Sequence, residues 1–189
     1  MAGCCQATIT DAAFAHLKGI QELDMGDCAQ ATITDGAFES LKGIRKLLMY
    51  RCNQATITDV AFSHLHGINY LHMEECNQAT VTDAAFSHLK GIHTLYMNDC
   101  SQVTITDAAF SQLQGIHVLS VSRCMQLTGA FFEHVGSSVQ KLSLSYCTQE
   151  FAEADFTRLI EIRRIEMFGC HRRAVQAGRA ALGHRRVSA

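Results

Sequence analysis

The chain is 189 residues long, 48% hydrophobic and 18% charged, with nine Cys and no Pro or Trp. Apolar content is ample for burial, and Pro-rich linkers and Trp-based signatures are excluded. The net charge of −2 hides an asymmetry: residues 1–157 carry 8 Lys+Arg against 16 Asp+Glu, whereas residues 158–189 carry 8 Arg against Glu161 and Glu166. A body at −8 and an end at +6 leave two readings for the basic stretch, a solvated tail or an arm for acidic partners. The opening MAGCCQATIT lacks the basic and apolar regions of a secretory signal, and no run approaches the roughly 18 apolar residues of a membrane span.

A 24-residue period orders the predicted elements. Cys4, Cys28, Cys52, Cys76, Cys100 and Cys124 recur at that step, and Cys147 and Cys170 follow after two 23-residue steps. A period of this length predicts a stacked-repeat solenoid, about seven repeats over residues 1–170, in which each repeat contacts its neighbours. In the first repeat Thr10 or Asp11 is placed to N-cap a helix of about two turns. Ala13, Phe14 and Leu17 share one face of that helix, and Gly19 suits the C′ position after it. Residues 20–26 then alternate around Leu23 and Met25, the period-2 pattern of a short strand. Those two side chains are predicted to point inward and Glu22, Asp24 and Gly26 outward.

The inward pair recurs as Leu47/Met49, Leu71/Met73, Leu95/Met97, Leu119/Val121, Leu142/Leu144 and Ile165/Met167. The Cys124–Cys147 repeat has lost the Asp, which predicts a less regular helical side. Residues 171–189 read as a basic tail or a short cap helix, the latter weakened by Gly178 and Gly183. With only Met1, Ala2 and Gly3 ahead of Cys4, the first repeat is expected to lack a cap. Ile9, Phe14 and Leu17 would then be open on one side, and the array open to end-to-end association.

The run from Ile92 to Cys100 (IHTLYMNDC) resembles the LxxLxLxxN/C segment of the leucine-rich repeat family. The continuation through Thr104, Ile105, Thr106, Asp107, Phe110 and Leu113 is similar to its cysteine-containing subtype, known from F-box leucine-rich repeat proteins. The resemblance spans about residues 4–170. It implies an α/β fold: a right-handed horseshoe arc with a parallel sheet on the concave side and short helices on the convex side. It also implies protein recognition rather than catalysis, with a substrate receptor of a ubiquitin ligase as the narrower alternative, although no F-box-like segment precedes residue 4.

Stacked repeats give the cysteine column parallel Cβ vectors, unsuited to disulfides, and a linear ladder does not converge on a metal. Buried, reduced thiols are expected, and with them a cytoplasmic or nuclear, reducing location. His16, His64 and His88 share a helix column, and His93 and His117 form a second pair. Ser40 and Gln112 interrupt the helix column, so His64 and His88 could supply at most two ligands; neither pair has a third, and no metal and no cofactor is expected. No P-loop, GxSxG, HExxH or GxGxxG is present, and no catalytic residue is assigned.

The outward strand positions vary while the framework does not, and Tyr50, Tyr70 and Tyr96 fall among them in three consecutive repeats. With Lys46, Leu48, His72, Glu74 and Asn98 they form the candidate partner-binding patch, a Tyr-rich centre with a polar rim. A protein partner is therefore expected. Nucleic acid is disfavoured, with Arg172, Arg173, Arg179, Arg185 and Arg186 as the residues for a nucleic-acid or membrane contact.

Overall fold

The structure, a computed structural model, describes residues 2–189. Seven three-residue strands, β1 (Glu22–Asp24), β2 (Lys46–Leu48), β3 (Tyr70–His72), β4 (Thr94–Tyr96), β5 (Val118–Ser120), β6 (Lys141–Ser143) and β7 (Arg164–Glu166), are joined by the two-residue β8 (Val187–Ser188). All pair in parallel and in chain order. The register keeps the period: Leu23, Leu47, Leu71, Leu95, Leu119, Leu142 and Ile165 form one inward row. Each is buried, and so is each residue two positions on, from Met25 to Met167.

The other side of the coil carries α1 (Asp11–Phe14), α2 (Asp35–Glu39), α3 (Asp59–Phe62) and α4 (Asp83–Phe86), then a 3-10 turn over Asp107–Gln112. Phe14, Phe38, Phe62, Phe86 and Phe110 are wholly buried beneath these turns. Strands repeat at about 4.8 Å, whereas packed helices need about 8–10 Å. The helical side is therefore the wider one, and the sheet lines the inside of the arc.

The Thr-Asp pair works differently from simple capping. Thr34, Thr58, Thr82, Thr106 and Thr128 are the N-caps, each hydroxyl accepting from the amide two residues on at 3.1–3.2 Å. The aspartate instead reaches forward to the next repeat. Asp59 accepts from Thr82 N and Thr82 Oγ1 at 2.7 Å each; Asp11, Asp35, Asp83 and Asp107 do the same to Thr34, Thr58, Thr106 and Thr128. Thr10 is not reached by such an aspartate, and its side chain makes no cap bond.

One expectation needs correction. Phe14 is 0% exposed, so of the three first-repeat residues only Ile9 and Leu17 remain partly open. The convex side of the Cys124–Cys147 repeat is a 3-10 turn over Gly129–Phe131 running into α5 (Phe132–Val135), less regular than the single helices α2–α4. Thr128 still caps it, because its partner Asp107 comes from the repeat before. Gly129 stands where the next aspartate would be, and a Cβ there would lie 2.3 Å from Asp155 Oδ2. Asp155, in α6 (Glu153–Phe156), binds Ala152 N instead.

Beyond Cys170 the chain forms α7 (Arg172–Leu182), capped by His171 Nδ1 accepting from Arg173 N at 3.3 Å. Ala174 and Gly178 are buried, and a Cβ at Gly178 would meet the Met167 sulfur and the Phe156 ring. The chain then returns as β8, with Val187 buried beside Ile165.

Candidate concave binding site

Strand alternation places three outward residues per repeat on the sheet's solvent face, and that face holds all eight candidate residues. Lys46, Leu48, Tyr50, Tyr70, His72, Glu74, Tyr96 and Asn98 are each half-buried. The register sets Lys46 beside Tyr70, and Leu48, His72 and Tyr96 in one row. The rings join into a step: Tyr50–His72 centroids lie 5.3 Å apart, His72–Tyr96 5.6 Å and Tyr70–Tyr96 5.6 Å. Lys46 Nζ sits 5.7 Å from the Tyr70 centroid and 3.2 Å from Glu22 Oε2.

The step is held from below and from its edges. Gly26, in the same outward row as Tyr50, leaves the space the ring fills, since a Cβ there would come within 2.1 Å of Tyr50 Cζ. His72 Nε2 lies 3.1 Å from Glu74 Oε2, which also accepts from Asn98 Nδ2 at 3.3 Å. Asn98 Oδ1 in turn accepts from Ser120 Oγ and from Ser122 N. The Tyr50 hydroxyl is pushed above its usual pKa, chiefly by the Asp24 charge, and Tyr70 mainly by burial. Both phenols stay neutral donors at physiological pH.

A rim of strained residues borders the site. Asp27, Arg51, Glu75, Asp99, Arg123 and Tyr146 all have φ between 56° and 60°, a conformation that side chains other than Gly, Asn or Asp adopt at some cost. They form a ladder along the edge. Arg51 donates Nε and Nη2 to the Glu75 carboxylate at 2.9 and 2.8 Å, and its Nη1 lies 3.7 Å from Asp27. The Arg51 hydrogen bonds hold the Glu75 carboxyl below its usual range. Arg123 reaches Asp99 and lies over the Tyr146 ring, 4.5 Å from its centroid. All three Arg–acid pairs are open to solvent, which screens them, so they add little to stability.

The cysteines lie under the sheet edge, away from this face. Cys52, Cys76, Cys100 and Cys124 donate Sγ–H to the carbonyls of Met25, Met49, Met73 and Met97 at 3.0–3.1 Å. None of the nine is in a disulfide. Burial pushes Cys52 and Cys100 up to about 12 and Cys147 to about 11. Among the described residues no three His, Cys, Asp or Glu side chains converge on a metal position. His93 and His117 stack at 4.5 Å, and His64 and His88 are half-buried on the convex side.

The arginines of the basic end do not form one arm. Arg172 and Arg173 are exposed at the start of α7, with Arg173 3.6 Å from Glu150. Arg179 is half-buried, and Arg185 and Arg186 lie beyond the helix, next to β8. Sequence reasoning missed a cleft of about 420 Å³ C-terminal to the Tyr step, lined by Tyr96, Asn98, Ser120, Ser122, Lys141 and Arg164 among others. Its signal was the switch from Tyr and His to Ser in the outward rows. No described helix is long and apolar enough to cross a membrane.

No protein-family model matches the sequence, and no curated protein matches it. Among solved structures, TLR13 in its complex with ssRNA13 superposes with a TM-score of 0.61 at 17% identity over 86% of this chain. The Toll–Spatzle complex of Drosophila gives 0.64 at 14% identity over 85%. This chain spans 27% and 25% of the lengths of those two chains, roughly a quarter of each. Both are leucine-rich repeat proteins, and the likeness shows the fold: a right-handed leucine-rich repeat solenoid with its parallel sheet on the concave side.

Proposed function

We propose that the concave sheet of this solenoid binds a protein partner and that the chain acts as a non-enzymatic interaction module. One observation carries the reading: Tyr50, His72, Tyr96 and Tyr70 make successive ring contacts on a face whose residues the repeat does not require for packing. Clustered tyrosines bring large contact area at low entropic cost and give a hydroxyl to pair, which is why they anchor protein interfaces. The rim charges supply orientation more than affinity. The two superposed structures were solved with macromolecular ligands, an RNA for TLR13 and Spatzle for Toll, which supports binding as the work of the fold. A protein suits this face better than RNA because Asp24, Glu74 and Glu166 share it.

The Sγ–H to carbonyl ladder supports the cysteine-containing subtype and a reducing compartment, since each thiol is used reduced. The test is affinity capture with quantitative mass spectrometry, using wild type and Tyr70→Ala/Tyr96→Ala as baits. Partners are expected to be lost from the variant by at least tenfold while its melting temperature stays within about 3 °C of wild type. Undiminished capture refutes the patch.

A further inference from the structure

The concave face changes character along the arc. At β1 it is acidic, with Glu22 and Asp24; at β2–β4 it is aromatic; beyond Tyr96 its side chains shrink to Ser120, Ser122 and Ser143. That drop in side-chain volume opens the cleft of about 420 Å³. Along one edge of the cleft the register sets Lys141 beside Arg164. The pairing of Ile165 with Val187 and of Glu166 with Ser188 puts Arg186 level with Arg164. Lys141 on β6, Arg164 on β7 and Arg186 just ahead of β8 thus stand in one row at the strand spacing of about 4.8 Å. Glu166 also lines the cleft and pairs with Arg164 at 3.1 Å, leaving Arg164 with its side chain 60% exposed. Lys141 has no ion-pair partner among the described residues, so with Arg186 the cations outnumber the one carboxylate there.

The floor adds a directed donor. Ser122 Oγ and Ser143 Oγ share one hydrogen bond at 2.9 Å in which either is the donor. One hydroxyl hydrogen of that pair is left over for an incoming oxygen anion.

Resting on the concave-face reading above, we infer that this cleft receives an acidic stretch of the partner protein. Aspartate or glutamate side chains reach Lys141, Arg164 and Arg186 while neighbouring apolar residues lie on the Tyr step. The charge pattern argues for a peptide over a nucleic acid. Three cations span only about 10 Å, whereas a polyanion running on to the tyrosines would press phosphates against Glu74, Asp24 and Glu22. A peptide confines its charge to one end.

The experiment selects binders from a phage-displayed library of random 12-residue peptides on the whole chain. Parallel selections use Lys141→Glu/Arg164→Glu and Tyr70→Ala/Tyr96→Ala, with Lys141→Gln/Arg164→Gln replacing the first variant if circular dichroism shows it unfolded. The expected result is Asp/Glu enrichment on wild type that disappears on the cation variant. A selected acidic peptide should also lose about tenfold or more in affinity, by fluorescence anisotropy, when its acids become amides. Tyr-dependent binders without acidic enrichment overturn the cleft assignment and leave the concave-face reading standing. Binders indifferent to both variants overturn both. A 20-mer of deoxythymidine that binds more tightly than any selected peptide, and is lost on Lys141→Glu/Arg164→Glu, also overturns the assignment and gives the cation row to nucleic acid.

Discussion

Replacing Asp59 by alanine tests the inter-repeat latch. The carboxylate accepts two hydrogen bonds at 2.7 Å, from Thr82 N and Thr82 Oγ1. Bonds to a charged acceptor contribute about 1.5–3 kcal/mol when sheltered. Here both residues are half-buried, which brings each bond to about 1 kcal/mol. The released Thr82 hydroxyl also loses the orientation in which it caps Ala84 N, a further ~0.5 kcal/mol. The expected loss is about 2–3 kcal/mol, or roughly 5–10 °C in melting temperature for a chain of this size. Far-UV circular dichroism in urea and heat measures the total, and hydrogen exchange at the Thr82 and Ala84 amides localises it. Thr82→Val keeps the amide bond but loses both the hydroxyl bond to Asp59 and the cap on Ala84 N, so it should cost about 1.5 kcal/mol, with a double-mutant coupling to Asp59→Ala of about 1 kcal/mol. Thr10→Val, outside any latch, is the internal control. Asp59→Ala within about 0.5 kcal/mol of wild type, with exchange at Thr82 unchanged, would refute the latch.

The thiol column should make the fold alkali-sensitive. Cys52 and Cys100 hold their protons to about 12 against an ordinary 9.0, so the unfolded chain releases protons first and stability falls as pH rises from about 9 toward 12, by up to about 1.4 kcal/mol per thiol per pH unit. Cys52→Ala/Cys100→Ala should flatten that slope in urea melts from pH 8 to 11, and an unchanged slope would remove the thiols as its source. Gly136→Ala should destabilise by about 2 kcal/mol or more, because its Cβ would stand 2.4 Å from the Arg158 carbonyl oxygen, which has no soft route away; a melting temperature equal to wild type would contradict this. Gly26→Ala meets only the end of the Tyr50 ring, so it should leave the melting temperature nearly unchanged while moving that ring off its place beside His72, read by nuclear Overhauser contacts.

Much of this architecture was legible because the repeat is periodic in two senses. Leu23 and Met25 alternate with polar neighbours, and the same pair returns every 24 residues, so the inward row and its register follow from the letters. Phe14, Phe38 and Phe62 fall in one column for the same reason. The latch was not legible, because Asp59 and Thr58 are adjacent letters that suit capping within one helix equally well. Only the closeness of the next repeat shows that Asp59 reaches forward to Thr82. The cleft escaped notice because it is a difference in side-chain volume between neighbouring strands, Tyr96 against Ser120 and Ser143. Arg186 becomes the neighbour of Arg164 only through the return of the chain as β8.

By itself, then, the sequence determined the repeat, the inward Leu, Met, Phe and Cys columns and the outward row of tyrosines, because period and strand alternation dictate facing without any long-range knowledge. The tertiary structure alone decided what stands beside what across the arc: the aspartate latch, the tyrosine step over Gly26, and the cleft between Tyr96 and Arg164. Those contacts join residues 21 or more positions apart, and their distances depend on how tightly successive coils stack, which no single repeat encodes.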